Sequence, residues 1–299
     1  MVRTVKAVIG ISVISVLCAT AACSGNSGDK APASAGKADE RLGSSVRKTG
    51  VIRHGLQPGF PPFEQEVDGK IEGFDVELMK ALAGPLGVRT EIVAIDSFAG
   101  LIPALSARRV DVIVSGMTDT AERREQVTFV NYFNNRGAIM VPSGNPKEIN
   151  EATDLCGLDL AIEAGWIGEE RMRKQSQECK KAGKSEINIG TYPSAPEAVL
   201  ALRSKQVDAY TLGYAAAQSY VTPEKGKQVH VEIAGQLPDE FGRGQYSIGL
   251  AKGDLESARA FRDALDKLIE EGTYQKLLEK YGLTEGAVEK ATINGGEIE

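Results

Sequence analysis

The sequence predicts an α/β fold of two similarly built lobes with a cleft between them. Three observations predict it. Apolar segments of strand type and helix type alternate along the chain, the pattern of a largely parallel sheet covered by helices. A helix end, a basic turn and a strand opening on Val-Asp occur twice, in Ala104-Leu105-Ser106-Ala107-Arg108-Arg109-Val110-Asp111-Val112 and in Ala201-Leu202-Arg203-Ser204-Lys205-Gln206-Val207-Asp208-Ala209. The composition is globular, with 42% hydrophobic and 25% charged residues over 299 positions, which excludes collagen-like, disordered and coiled-coil chains.

Taken in order, the chain opens with an address. Arg3 and Lys6 precede an apolar run from Ala7 to Leu17, too short to span a bilayer, and Ala19-Thr20-Ala21-Ala22 lead into Cys23. A charged start, a short apolar middle and a small-residue end make residues 1–22 a secretory signal peptide. Residues 23–45 are rich in Gly, Ser, Ala and charged types and read as a flexible linker. Val51 to Arg53 opens a strand, and Gln57 to Phe63 is a turn-rich loop. Phe74, Leu78, Leu82 and Leu86 recur every fourth residue, the apolar face of a helix that Gly87 stops. Glu91 to Ile95 reads as a strand, Leu101 to Ala107 as a short helix, and Val110 to Val114 as a buried strand. Ala138 to Val141 is an apolar run broken by Pro142-Ser143-Gly144-Asn145-Pro146. Tyr246 to Leu250 is a further strand; Phe261, Leu265 and Leu268-Ile269 mark a helix, and Tyr274, Leu277-Leu278 and Tyr281 a shorter one. Two lobes joined by strand-like crossings leave a cleft, a favoured ligand site, and hinged closure is the mechanical corollary.

Charge and motif content narrow the function. Lys+Arg number 35 and Asp+Glu 41, a net charge of -6, and no basic stripe points to nucleic acid. The two histidines, His54 and His230, lie far apart in the chain, which excludes a histidine-rich metal site and disfavours a Ser-His-Asp arrangement. Nucleotide-binding, zinc-protease and nucleophile-elbow motifs do not occur. No cofactor, metal or oligomer is expected; the chain reads as a monomer.

Two resemblances sharpen this. The small residues running into Cys23 resemble a bacterial lipoprotein signal, with Thr20 standing where Leu is usual. That resemblance implies cleavage before Cys23, acylation of Cys23, and residence on the extracellular face of the cell membrane. With Cys18 lost in the signal and Cys23 acylated, Cys156 and Cys179 remain as an even pair in an exported chain. An oxidising compartment favours a disulfide between them, and two reduced buried thiols are the alternative.

The second resemblance begins at Gly73-Phe74-Asp75-Val76-Glu77-Leu78-Met79-Lys80-Ala81-Leu82-Ala83. It continues through Leu101-Ile102-Pro103-Ala104-Leu105, Val110-Asp111-Val112-Ile113 and Thr118-Asp119-Thr120-Ala121-Glu122-Arg123. Pro196-Glu197-Ala198-Val199-Leu200 and Glu271-Gly272-Thr273-Tyr274-Gln275-Lys276 also fit. From about Val51 to Leu283 the chain resembles the family 3 extracellular solute-binding proteins, the polar amino acid receptors of bacterial ABC importers. Leu155-Cys156-Gly157 and Glu178-Cys179-Lys180-Lys181 resemble actinobacterial members with a second-lobe disulfide. The family implies a type II periplasmic-binding-protein-like fold, crossed twice by the chain at a hinge. Lobe 1 would hold 46–141 and 245–299, and lobe 2 142–244. The partners it implies are a small solute and the permease and ATPase subunits of the importer.

Site residues follow from the same resemblance, one at a time. Arg123 stands where the family arginine grips the ligand carboxylate, a planar fork of donors matched to two oxygens. Ser115, Gly116 and Thr118 match positions that offer a carbonyl or hydroxyl to the ligand. Phe60 matches a stacking aromatic, Phe98 an apolar wall, and Gln57 a position where side-chain specificity is set. Two departures bear on the ligand. After the first strand of lobe 2 the family has hydroxyl residues, where this chain has Ala164-Gly165-Trp166-Ile167-Gly168, leaving Gly165, its neighbours' amides and Trp166. The family's acid for the α-ammonium aligns with Gly213, next to Tyr214. An aromatic enclosure of Phe60, Phe98, Trp166 and Tyr214 would suit an amino-acid derivative without a primary ammonium, such as an ectoine-like, betaine-like or opine solute. The other reading is an ordinary amino acid whose ammonium meets another acid, such as Glu163. Two further functions fit the scaffold: a cyclohexadienyl-dehydratase-like enzyme, for which Glu163 is the one acid/base candidate, and a ligand sensor module, which normally continues into a membrane helix.

Overall fold

Residues 37–222, 230–237 and 244–298 are described by a computed structural model. The expected signal peptide 1–22, with Cys18, and the acylation candidate Cys23 lie outside the described residues. The globular body starts earlier than the composition suggests. Within the expected linker, Leu42 is buried, the Asp39 N–H donates to the Leu86 carbonyl at 3.0 Å, and Arg41 pairs with Asp263 at 2.5 Å. A single large apolar residue and one ion pair dock a segment whose average composition is that of a tether.

Two sheets carry the described chain. The first is ordered β13 (Thr292–Ile293), β6 (Val127–Asn135), β12 (Gly244–Ala251), β5 (Val112–Ile113), β1 (Val51–Leu56) and β4 (Arg89–Ala94). Its strands β4, β1 and β5 are parallel, whereas β12, β6 and β13 pair antiparallel. The second sheet is ordered β11 (Val231–Gln236), β7 (Gly137–Pro142), β10 (Ala209–Gly213), β8 (Asp159–Glu163) and β9 (Asn188–Tyr192). A hairpin of β2 (Gln65–Val67) and β3 (Lys70–Glu72) stands apart, turned by Asp68-Gly69 with both residues at positive φ. This is a two-lobed, type II periplasmic-binding-protein-like α/β fold.

The first crossing between sheets is at Arg136, not after Val141. The run Ala138 to Val141 belongs to the second sheet because β7 pairs with β10 on one side and β11 on the other. An apolar run of this length is a strand in either lobe; its main-chain partners decide which. The chain returns between β11 and β12, beside the first crossing, since Gly244 pairs with Asn135 and Gln236 with Ala138.

The repeated Val-Asp segment is the same structure twice. Arg108 and Lys205 both adopt positive φ, at 55° and 58°. Asp111 accepts the Arg53 N–H at 2.8 Å, and Asp208 accepts the Asp159 N–H at 3.1 Å. Asp111 ties the start of β5 to β1 and Asp208 ties the start of β10 to β8, a structural duty.

Helices follow their periodicity. In α2 (Phe74–Leu86), Phe74, Leu78, Leu82 and Leu86 are buried, and Gly87 closes it at φ 66°. A side chain at Gly87 would meet the Lys37 carbonyl at 2.5 Å. The helix Leu255–Glu270 buries Phe261, Leu265 and Leu268, and Asp254 caps it by accepting from the Ser257 N–H. In the second lobe, α5 (Gly168–Lys181 in chain order after the short α3, Leu101–Ser106, and α4, Ala121–Arg124) buries only Gly168, Met172, Ser176 and Cys179. Cys179 is disulfide-bonded to Cys156, which pins this charged helix to the turn before β8. Among the described residues no helix is long and apolar enough to cross a membrane.

Candidate functional site

The cleft is built around Arg123. Thr120 caps α4 by accepting the Arg123 N–H at 3.2 Å, which fixes where the side chain departs. Its guanidinium donates from Nη1 to the Thr118 carbonyl and from Nη2 to the Gly165 carbonyl, both at 2.7 Å. Gly165 follows β8, so this bond joins the two lobes. The charge lies 5.5 Å from the centre of the Phe98 ring. Burial pulls its pKa down to about 10, opposed by Glu122 and Asp119, so it stays a cation at neutral pH. Phe98, Trp166, Ile102 and Met117 help line a cleft of 760 Å³ beside it. The lobes also meet where the Tyr220 hydroxyl donates to the Gly59 carbonyl at 3.1 Å, and where Gly59 lies against Pro196.

Beneath the cleft the loop after β5 is locked by buried acids. Ser115 Oγ accepts the Gln57 N–H at 3.0 Å and donates to Glu64 Oε1 at 2.6 Å. The Gly116 N–H donates to Asp75 Oδ2 at 2.8 Å, and Tyr132 donates to the same carboxylate. Gly116 has φ 53°, and a Cβ there would lie 2.8 Å from the Phe60 ring; the glycine lets Phe60 pack down. Phe60 is 8% exposed, stacked on Phe63 and edge-on to Tyr246. Burial and the Asp75 charge push the Glu64 carboxyl well above the usual range, while burial lifts Asp75 to about 6. Among the described residues no hydrogen-bond partner reaches Glu64 Oε2.

Expected site residues thus divide. Arg123, Phe98, Thr118, Gly165 and Trp166 come together at the cleft. Ser115 and Gly116 sit below it with their hydroxyl and N–H engaged internally, and Gln57 is buried with its N–H on Ser115. Gly213 ends β10 with no room for a side chain: a Cβ would lie 2.2 Å from the Tyr246 hydroxyl and 2.9 Å from Asn135 Oδ1. Tyr214 does not join the enclosure. As the first residue of α7 (Tyr214–Val221) it donates its N–H to the Arg136 carbonyl, and its ring lines a separate hollow with Arg203, Gln218 and Tyr281. The start of the helix after Gly213 turns the ring toward the hinge.

Two acids at the site, Asp75 and Glu64, escape sequence reading, whereas Glu163 is one the sequence already offers. Asp75 lies on the buried side of α2, and Glu64 follows the turn-rich loop; an acid on an apolar helix face is the signal that marks Asp75. Glu163 ends β8, 6% exposed, and burial raises its carboxyl to about 8, held back by the Ala195 N–H at the start of the next helix, α6 (Ala195–Arg203).

A cleft between two α/β lobes, crossed twice by the chain and bridged by a half-buried arginine, defines a two-lobed solute-binding protein. The chain belongs to the bacterial extracellular solute-binding proteins, family 3, whose family model matches residues 52–284. The arginine-binding protein ArgT of Corynebacterium glutamicum is 30% identical over 84% of this chain and 80% of its own length. The L-cystine-binding protein TcyJ of Escherichia coli is 30% identical over 82% of this chain and 87% of its own. Among solved structures, an ancestral arginine-binding protein bound to arginine superposes with a TM-score of 0.70 at 35% identity, covering 78% of this chain and 98% of that one. An ancestral amino acid-binding protein, a precursor of cyclohexadienyl dehydratase, gives 0.67 at 29%, covering 79% and 97%.

Proposed function

We propose that this protein is the receptor of an amino acid ABC importer, capturing an amino acid or a derived carboxylate by hinge closure and delivering it to the permease and ATPase subunits. The observation that carries the reading is Arg123, a half-buried guanidinium whose fork spans the cleft from the Thr118 carbonyl to the Gly165 carbonyl. A ligand carboxylate at Arg123 would replace the Gly165 carbonyl as acceptor, with a doubly charged, bidentate pair. Phe60, Phe98 and Trp166 would enclose the rest. The relatives that bind arginine, cystine or histidine support an amino acid as ligand.

In this reading lobe 1 comprises 46–136 with 244–298, lobe 2 comprises 137–237, and the body is a monomer held at the extracellular face of the membrane by acylated Cys23. It binds and releases its solute unchanged. The test is a thermal-shift panel on protein unfolded and refolded to strip carried ligand, with the common amino acids beside ectoine, glycine betaine and opines. A true ligand at 100 times its dissociation constant adds about 2.7 kcal/mol of stability. A panel in which no amino acid or amino-acid-derived carboxylate responds refutes the reading. Incubation with prephenate or arogenate is expected to give no product.

A further inference from the structure

We infer that Glu163, Tyr210 and Tyr246 form the subsite for a cationic, N–H-bearing group of the ligand, in place of an acid at position 213. The inference rests on the receptor reading and names the ligand class for it: a zwitterion with N–H donors, not a quaternary ammonium.

The argument starts from unmet hydrogen bonds. Glu163 Oε1, Tyr210 OH, Tyr246 OH and Asn135 Oδ1 are buried without a partner, on residues 6%, 0%, 1% and 2% exposed. Buried polar atoms in native proteins are rarely left this way, and four in one region call for a missing partner. Strand geometry brings Glu163 and Tyr210 to one face. Tyr210 pairs with Ala161 across β10 and β8, and side chains two apart share a face, so Glu163 lies on the Tyr210 face. Tyr246 and Asn135 both close over Gly213, at the end of the same β10. Ala161, Tyr210 and Tyr246 belong to one buried cluster, and burial first, with the nearby carboxylates, raises both phenols.

The chemistry of these atoms selects the ligand. Ionised Glu163 and Asn135 Oδ1 only accept, and each phenol oxygen can accept while donating to Glu163. A group with several N–H donors satisfies them; a trimethylammonium has none to give. Position also fits. Glu163 is two residues before Gly165, whose carbonyl receives Arg123, so the carboxylate and cation ends of one small solute would meet adjacent parts of the cleft wall.

Binding should then release a proton. Glu163 is largely protonated near neutrality in the empty cleft. The groups facing it are Tyr210, Tyr220 and Tyr246, with Glu64 beyond, and Arg203 acting on Tyr220. None of the phenols titrates between pH 6 and 8, because all three are raised above the ordinary value. A cationic ligand favours the carboxylate form of Glu163, so affinity should rise with pH up to about 8 and level off above it, by at most about tenfold per pH unit.

The experiment is calorimetric titration of stripped wild type, Glu163→Gln and Tyr210→Phe with each common amino acid and with glycine betaine, at pH 6, 7 and 8. The expected result is that an N–H-bearing amino acid binds wild type more tightly at pH 8 than at pH 6 and glycine betaine does not bind. Glu163→Gln should bind that amino acid at least tenfold more weakly at pH 8 and lose the pH slope, and Tyr210→Phe should weaken it severalfold while keeping the slope. Wild-type affinity and slope in Glu163→Gln, or tight glycine betaine binding, overturn the subsite and leave the receptor standing. If no amino acid or derived carboxylate binds wild type, the receptor reading fails and takes the subsite with it. Tyr210→Phe keeps the test open should Glu163→Gln fold poorly.

Discussion

At the scale of single residues, the site is decided by what occupies each small volume. Gly213, where the family resemblance led to the expectation of an acid, has the Tyr246 hydroxyl 2.2 Å from where its Cβ would be. Gly213→Ala should therefore destabilise the protein by about 1–3 kcal/mol, the range of overpacking. Tyr246→Phe removes the clashing oxygen, so the double variant should recover much of that loss in a urea melt. A double variant no more stable than Gly213→Ala would show that another contact closes the position. Arg123 is the second residue to test. Arg123→Met keeps much of the side-chain volume and removes the fork, and binding of the amino acid identified in the panel should weaken by about 2–5 kcal/mol, read by calorimetry. A change of less than twofold would place the carboxylate elsewhere.

Elements differ in how much of their stability is their own. The helix α2 buries a full apolar stripe and is closed by Gly87, so its sequence and packing agree. The helix α5 has the opposite character: its surface pairs, Arg173–Glu169, Lys174–Glu170 and Lys181–Glu178, are exposed and each contributes little. The Cys156–Cys179 disulfide closes a loop of sequence separation 23 across it. Chain-entropy arguments put such a bond at about 3 kcal/mol. Replacing both cysteines with serine should lower the melting temperature by several degrees and raise amide exchange first in α5. Unchanged exchange in α5 would mean that Met172 and its neighbours hold the helix unaided. The hairpin of β2 and β3 was not foreseen, although Asp68-Gly69 is a pair suited to a turn with two positive φ values. Nor was the docking of residues 37–45, because Leu42 alone buries there.

For the molecule as a whole, buried titrating groups shape stability against pH. His54 is fully buried with Nε2 2.8 Å from the Val114 carbonyl, and burial lowers its pKa to about 4. The unfolded chain takes up a proton near pH 6.5 that the folded chain refuses, so stability falls between about pH 6.5 and 4, by up to about 3 kcal/mol. Glu163 has the opposite sign: its folded pKa of about 8 lies above the unfolded value of 4.5, so stability falls as pH rises from about 4.5 to 8. Glu64 and Asp75 act in the same direction. The empty protein should melt highest between about pH 4.5 and 6.5, and Glu163→Gln should flatten part of the alkaline fall. A melting temperature that keeps rising to pH 8 would contradict the burial of these acids as protonated groups.

The sequence by itself determined the two-lobed α/β class, the repeated Val-Asp unit, the helix α2 and the Cys156–Cys179 pair. These depend on periodicity, turn residues and the redox chemistry of an exported chain, all local or countable. Only the tertiary structure decided that the first crossing is at Arg136, that Tyr214 faces the hinge, and that Glu163, Tyr210 and Tyr246 are buried with unpaired polar atoms. Those facts depend on main-chain pairing and on side chains from distant segments meeting, which no local pattern encodes. An acid such as Glu163 looks ordinary in a sequence, and only burial among phenols distinguishes it from one at the surface.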